Sequence, residues 1–265
     1  MARSRSRIGV ALAMACLVGA AIPGGRAEAA VSRIGLEDCH LTVHFISEED
    51  GRRMHREGWL PDTYTPAPSY LGPFTGSLGI WVFDCPTTSI DDVGAGDAII
   101  SLVGIQVMDR LAHNVVPTTW DHYLVWAHSD NEAIVDALEE VGIPAVDVAG
   151  ATFDWRADGT TTRAAIPWTA SPYELTVRGS IQDAPHLHDN TFQHGPAPGA
   201  GPSLRLLIDP LVPRDRFCFS AVAADCGSIR VEDGTPMADL LDDASVFAAA
   251  DHEVLSHAEI QVTIR

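Results

Sequence analysis

The sequence predicts a mainly β protein of the α+β class, a large antiparallel sheet system with a few packed helices. Three observations carry this: seven β-type apolar stretches, a small number of helix signatures, and four cysteines that follow an N-terminal leader.

The leader comes first in the chain. Arg3, Arg5 and Arg7 precede an apolar run over residues 8–22, then Pro23, Gly24 and Gly25, then Ala27-Glu28-Ala29. A basic start, an apolar stretch too short to span a bilayer and a small-x-small site read as a secretory signal over 1–29. Residues 30–265 are then one exported domain, free of the membrane after cleavage. Cys16 lacks the leucine that a lipoprotein anchor wants ahead of it.

The strands are expected over 41–46, 78–83, 99–108, 123–127, 173–177, 204–208 and 260–264, each bounded by Gly, Pro or Asp. The clearest helix opens at Ser129-Asp130-Asn131-Glu132, which reads as a capping box. Ile134, Val135, Leu138 and Val141 fall on one face, and Gly142 stops the helix. A shorter helix starts at Thr235-Pro236 and buries Met237, Leu240 and Leu241. A third covers residues 48–57. The Pro/Gly-rich run 195–202 is an exposed loop.

Of the cysteines that remain after cleavage, Cys39 pairs best with Cys85 and Cys218 with Cys226, the second pair closing a short hairpin clip. The mature chain keeps 13 arginines against 35 acidic residues, a formal charge of −22. That surface repels nucleic acid and anionic lipid, so neither is an expected partner.

All 17 basic residues are arginine; the chain has no lysine. Schiff-base catalysis, pyridoxal phosphate attachment and P-loop chemistry each need a lysine amine and are excluded. Ser77 has only Gly79 of the two glycines a nucleophile elbow requires. Gly94-Ala95-Gly96 precedes a strand rather than opening a helix, which argues against a dinucleotide site.

The segments His122-Tyr123-Leu124, Asp130-Asn131-Glu132-Ala133-Ile134 and Val141-Gly142-Ile143-Pro144-Ala145 together resemble the acetoacetate decarboxylase superfamily. Members show a Tyr-Leu strand, an Asn-Glu helix start and a Gly-aromatic-Pro turn. Leu60-Pro61 resembles the family's earlier Val-Pro segment. The resemblance implies a cone-like β barrel and a pocket for a small organic molecule, carbonyl compounds included. In the family, two adjacent lysines before the turn supply the imine; Glu139 and Glu140 stand there in this chain, and Ala145 replaces a later lysine. Imine chemistry is thereby excluded. Two readings of the glutamates stand: a general acid and base beside an apolar cavity, or a solvated pair, since consecutive helix residues point about 100° apart.

Histidines offer a second chemistry. His186, His188 and His194, near Asp183 and Asp189, form a His-x-His…His set that suits zinc or, with a carboxylate, iron or manganese. The other reading is polar surface. His122 and His128 flank a strand an even number of residues apart, so an unbroken strand puts both on one face. Either one, His128 with the glutamates especially, is an acid or base candidate, or else both cap the strand ends in solvent. Trp81, Trp120, Trp126, Trp155 and Trp168 lie in or beside strands, as cavity lining or ordinary core. Three functions remain: a binder or transformer of a small organic molecule, a metal-dependent extracellular protein, and a non-catalytic secreted binder.

Overall fold

The computed structural model describes residues 31–48, 51–67, 76–108, 120–155, 161–178, 180–182, 190–208, 215–219, 227–241 and 249–264. The leader and the segment holding His186 and His188 lie outside them.

Seven strands close into a barrel: β1 (Val31–Glu48), β2 (Gly76–Ile90), β3 (Val93–Val107), β4 (Trp120–Ser129), β10 (Asn190–Gln193), β11 (Ser203–Ile208) and β14 (Ala249–Thr263). β14 pairs back onto β1, from Val31 opposite Thr263 to Phe45 opposite Ala249, which removes the free edge. Every neighbour pair is antiparallel except β4 with β10. Short strands β9 (Ser180–Gln182) and β12 (Asp215–Phe219) extend the sheet beyond β14, and β5 (Ala145–Asp147) pairs in parallel with β4. All seven stretches expected from the sequence are strands.

A second sheet of β6 (Thr152–Trp155), β7 (Thr161–Ile166), β8 (Tyr173–Arg178) and β13 (Gly227–Val231) covers part of the barrel wall. Two helices pack in the same layer: α1 (Arg52–Arg56), shorter than the 48–57 span expected, and α3 (Pro236–Leu241), which buries Met237 and Leu240 as expected. Arg53 of α1 donates to the carbonyls of Asp239 and Leu240 and so caps α3.

The helix α2 (Glu132–Glu140) turns Ile134, Val135 and Leu138 into the barrel core and closes one end of it. Its start differs from the expected capping box. Asn131 is the N-cap, with its side chain accepting from the Ala133 amide, while the Ser129 hydroxyl accepts one step earlier from the Asn131 amide. Asn131 also donates to the carbonyls of Ala95 and Asp97, so tertiary contacts decide which residue caps. Gly142, at φ 84°, ends the helix as the sequence suggested.

The predicted Cys39–Cys85 disulfide is present, fully buried, and ties β1 to β2 inside the barrel. A kink makes this possible. Asp38 adopts φ 54°, reversing the in/out alternation, so Leu36 and Cys39 both enter the core although three residues apart. The Cys218–Cys226 pairing lies outside what the structure describes.

The interlayer contact has a polar centre. The Ser101 hydroxyl lies 2.6 Å from the Tyr173 hydroxyl, which lies 3.2 Å from His128 Nδ1. Replacing Tyr173 by Phe should cost about 1–3 kcal/mol, because both buried partners lose their bond. Urea unfolding of the variant checks this; a loss under 0.5 kcal/mol, roughly the size of a surface change, would contradict it.

Candidate functional site

The barrel interior has an apolar wall at its α2 end and a polar group at the other. His122 is the third residue of β4, Asn190 the first of β10 and Gln106 the next-to-last of β3, all buried. His122 Nε2 lies 3.3 Å from Asn190 Oδ1, and Gln106 stands across from His122 in the strand register. Phe192 stacks on the imidazole with ring centres 5.1 Å apart, while Trp81 meets both rings edge-on at 4.6 and 4.8 Å. Phe45 packs on Trp81 at 5.6 Å.

Two glycines make this packing possible. A Cβ on Gly79 would fall 2.1 Å from the Trp81 ring, and one on Gly104 would press on His122 Cβ and the Phe192 ring at 3.2 and 3.3 Å. The indole therefore lies over bare backbone. Two polar atoms in the cluster have no hydrogen-bond partner, His122 Nδ1 and Trp81 Nε1.

His122 and His128 do not share a face, contrary to the parity expectation. β4 carries one extra residue at Val125, where the register slips between Val103–Trp126 and Gly104–Leu124. Such a bulge reverses the alternation beyond it. His122 and Leu124 point into the barrel, whereas Trp126 and His128 point out, His128 against Trp168 and Tyr173. Nor do the two histidines meet solvent: both are completely buried.

Burial holds both imidazoles neutral. Desolvation lowers His122 to about 3, opposed by the Asn190 bond, and lowers His128 to about 3 and His44 to about 4. Between these values and the ordinary 6.5 the unfolded chain binds more protons than the folded one, so stability falls as pH falls. With three such groups the slope near pH 5 is about 4 kcal/mol per pH unit, since each proton contributes about 1.4. Asp84 and Asp130, both raised mainly by burial, act in the opposite sense. Acid titration followed by tryptophan fluorescence should show cooperative unfolding well above pH 3. A protein still folded at pH 3 would refute the neutral-histidine account.

The glutamate pair lies elsewhere. Glu139 and Glu140 occupy the last turn of α2, both exposed, because the Ile134–Leu138 stripe that plugs the barrel leaves the next two positions facing water. His194 sits on the outer wall, stacked on Tyr123 at 5.6 Å, and its Nδ1 bonds the Leu124 carbonyl at 3.0 Å. Among the described residues no group of three or more metal-capable side chains converges. Sequence reasoning missed Asn190 and Gln106 as neighbours of His122, since strand pairing across 68 residues leaves no local signal.

The fold is similar to that of solved acetoacetate decarboxylase-like enzymes. Acetoacetate decarboxylase itself matches at TM-score 0.55 with 13% identity, over 88% of each chain. The enzyme from Legionella pneumophila matches at 0.51 with 11% identity, over 87% of this chain and 83% of that one. The enduracididine biosynthesis enzyme MppR complexed with pyruvate matches at 0.51 with 11% identity, over 91% of both chains. No family model and no curated protein matches the sequence. The likeness is one of fold.

Proposed function

We propose that this protein is an exported relative of the acetoacetate decarboxylase fold that holds a small organic molecule inside its barrel without forming an imine. The observation that carries the reading is the interior cluster of His122, Asn190 and Trp81, neutral polar groups set in an aromatic wall at the end opposite α2. A fold neighbour, MppR, binds pyruvate, which supports a small-molecule occupant. Absence of lysine removes the imine route, and the exposed Glu139 and Glu140 do not replace it.

Export rests on the basic and apolar leader together with the buried Cys39–Cys85 bond, which suits an oxidising compartment. Among the described residues no helix is long and apolar enough to cross a membrane. Native and denaturing mass spectrometry of protein recovered from culture medium tests both parts. The reading expects a chain shortened by about 29 residues, as the signal pattern implies, and an organic adduct lost on denaturation. A native mass equal to the bare chain, unchanged after incubation with small carbonyl and hydroxyl compounds, would sink it.

One observation favours a second reading, a transition metal on His186, His188 and His194. With its Nδ1–H given to the Leu124 carbonyl, His194 keeps the lone pair of Nε2 for a ligand. Stoichiometric zinc, iron or manganese, lost on His194→Ala substitution, is its signature.

A further inference from the structure

The two unpartnered atoms of the barrel interior define a narrower chemistry, which rests on the small-molecule reading above. His122 Nε2 faces Asn190 Oδ1, an acceptor, so Nε2 carries the proton and Nδ1 is left as a bare acceptor. Trp81 Nε1–H is a donor only, and it too has no partner. The rings are in contact, with centres 4.6 Å apart, and both residues are fully buried. Leaving a buried donor and a buried acceptor unused on two touching rings is costly, so a group that both donates and accepts suits the pair.

We infer that the interior takes a neutral hydroxyl compound, an alcohol, phenol or enol with an apolar body. Its O–H donates to His122 Nδ1, and its oxygen accepts from Trp81 Nε1–H. Phe45, Phe192 and the rest of the aromatic wall receive the apolar part. A simple ketone satisfies Trp81 alone and leaves His122 Nδ1 unpaired. A carboxylate fares worse: it brings a charge to a wall whose histidine stays neutral, and the one arginine among the described buried residues, Arg53, is spent on the carbonyls of Asp239 and Leu240. The preference therefore runs opposite to that of the fold neighbour that holds pyruvate.

The test uses the intact protein and three probes of one shape: cyclohexanol, cyclohexanone and cyclohexanecarboxylate. Binding is followed by calorimetry, with nitrogen NMR of the His122 ring and the Trp81 indole N–H as site readouts. The expected result is an alcohol affinity at least about tenfold above the ketone, a weaker carboxylate still, and shifts at both His122 Nδ1 and Trp81 Nε1. In His122→Phe the alcohol advantage should vanish while apolar binding persists. Equal or tighter binding of the ketone or carboxylate overturns the hydroxyl inference and leaves the small-molecule reading standing. If none of the probes binds and a long-lived water gives cross-peaks to the indole N–H, both fall, because a buried water then completes the pair. Should His122→Phe not fold, the wild-type affinity order decides alone.

Discussion

Replacing Trp81 by alanine is expected to lower the unfolding free energy by about 3–5 kcal/mol, the cost of emptying a buried aromatic site that cannot collapse. The site cannot collapse because its floor is backbone, Gly79, and its neighbours are the large rings of Phe45, His122 and Phe192. The paired substitution Gly79→Ala should cost about 1–3 kcal/mol on its own, since its new methyl enters the indole's place. In the Trp81→Ala background that penalty should disappear. Urea unfolding of the two single variants and the double variant measures the coupling; additive losses would show that the indole does not fill the barrel floor as described.

Removing the Cys39–Cys85 bond should have an effect of similar size. The bond spans 46 residues, for which the chain-entropy account gives about 4 kcal/mol at room temperature. Both cysteines are buried, so the paired change to alanine also loses some packing. Thermal unfolding of Cys39→Ala/Cys85→Ala beside the wild type, each with and without reductant, separates the two contributions. The wild type should approach the double variant only once it unfolds in reductant. A double variant as stable as the wild type would mean that the barrel closes without its clip.

The sequence disclosed the strands readily and the site poorly, for identifiable reasons. Stretches such as 78–83 and 99–108 are apolar on both faces because they lie between the barrel interior and the second sheet, and β-branched residues mark them. The Tyr-Leu strand, Asn-Glu helix start and Gly-x-Pro turn carried the fold resemblance that the structural neighbours share. Face assignment failed at β4 because it assumed strict period two. One extra residue at Val125 sends His122 and His128 to opposite sides, and no residue type there announces it. Asp38 does the same in β1. Helix periodicity, by contrast, correctly implied that the Ile134 stripe faces inward, and that geometry alone carries Glu139 and Glu140 outward. Nothing in the sequence links Asn190 to His122, because the two meet only once β4 and β10 lie in parallel.

The pairing of β1 with β14 also constrains when this protein can become native. The first and last described strands lie side by side along nearly their whole length, so every earlier strand must wait for residues 249–263 before the ring is complete. Until then β1 presents an unpaired edge, and the interior stays wet. A chain that emerges N-terminus first thus stays open until its last described strand is available. It closes in a single late step that joins partners more than 200 residues apart, slow by the usual dependence of rate on contact distance. A permuted chain that joins the two neighbouring ends and opens the tight Asp91–Asp92 turn would make β1 and β14 a local hairpin and hand the last, distant pairing to β2 and β3.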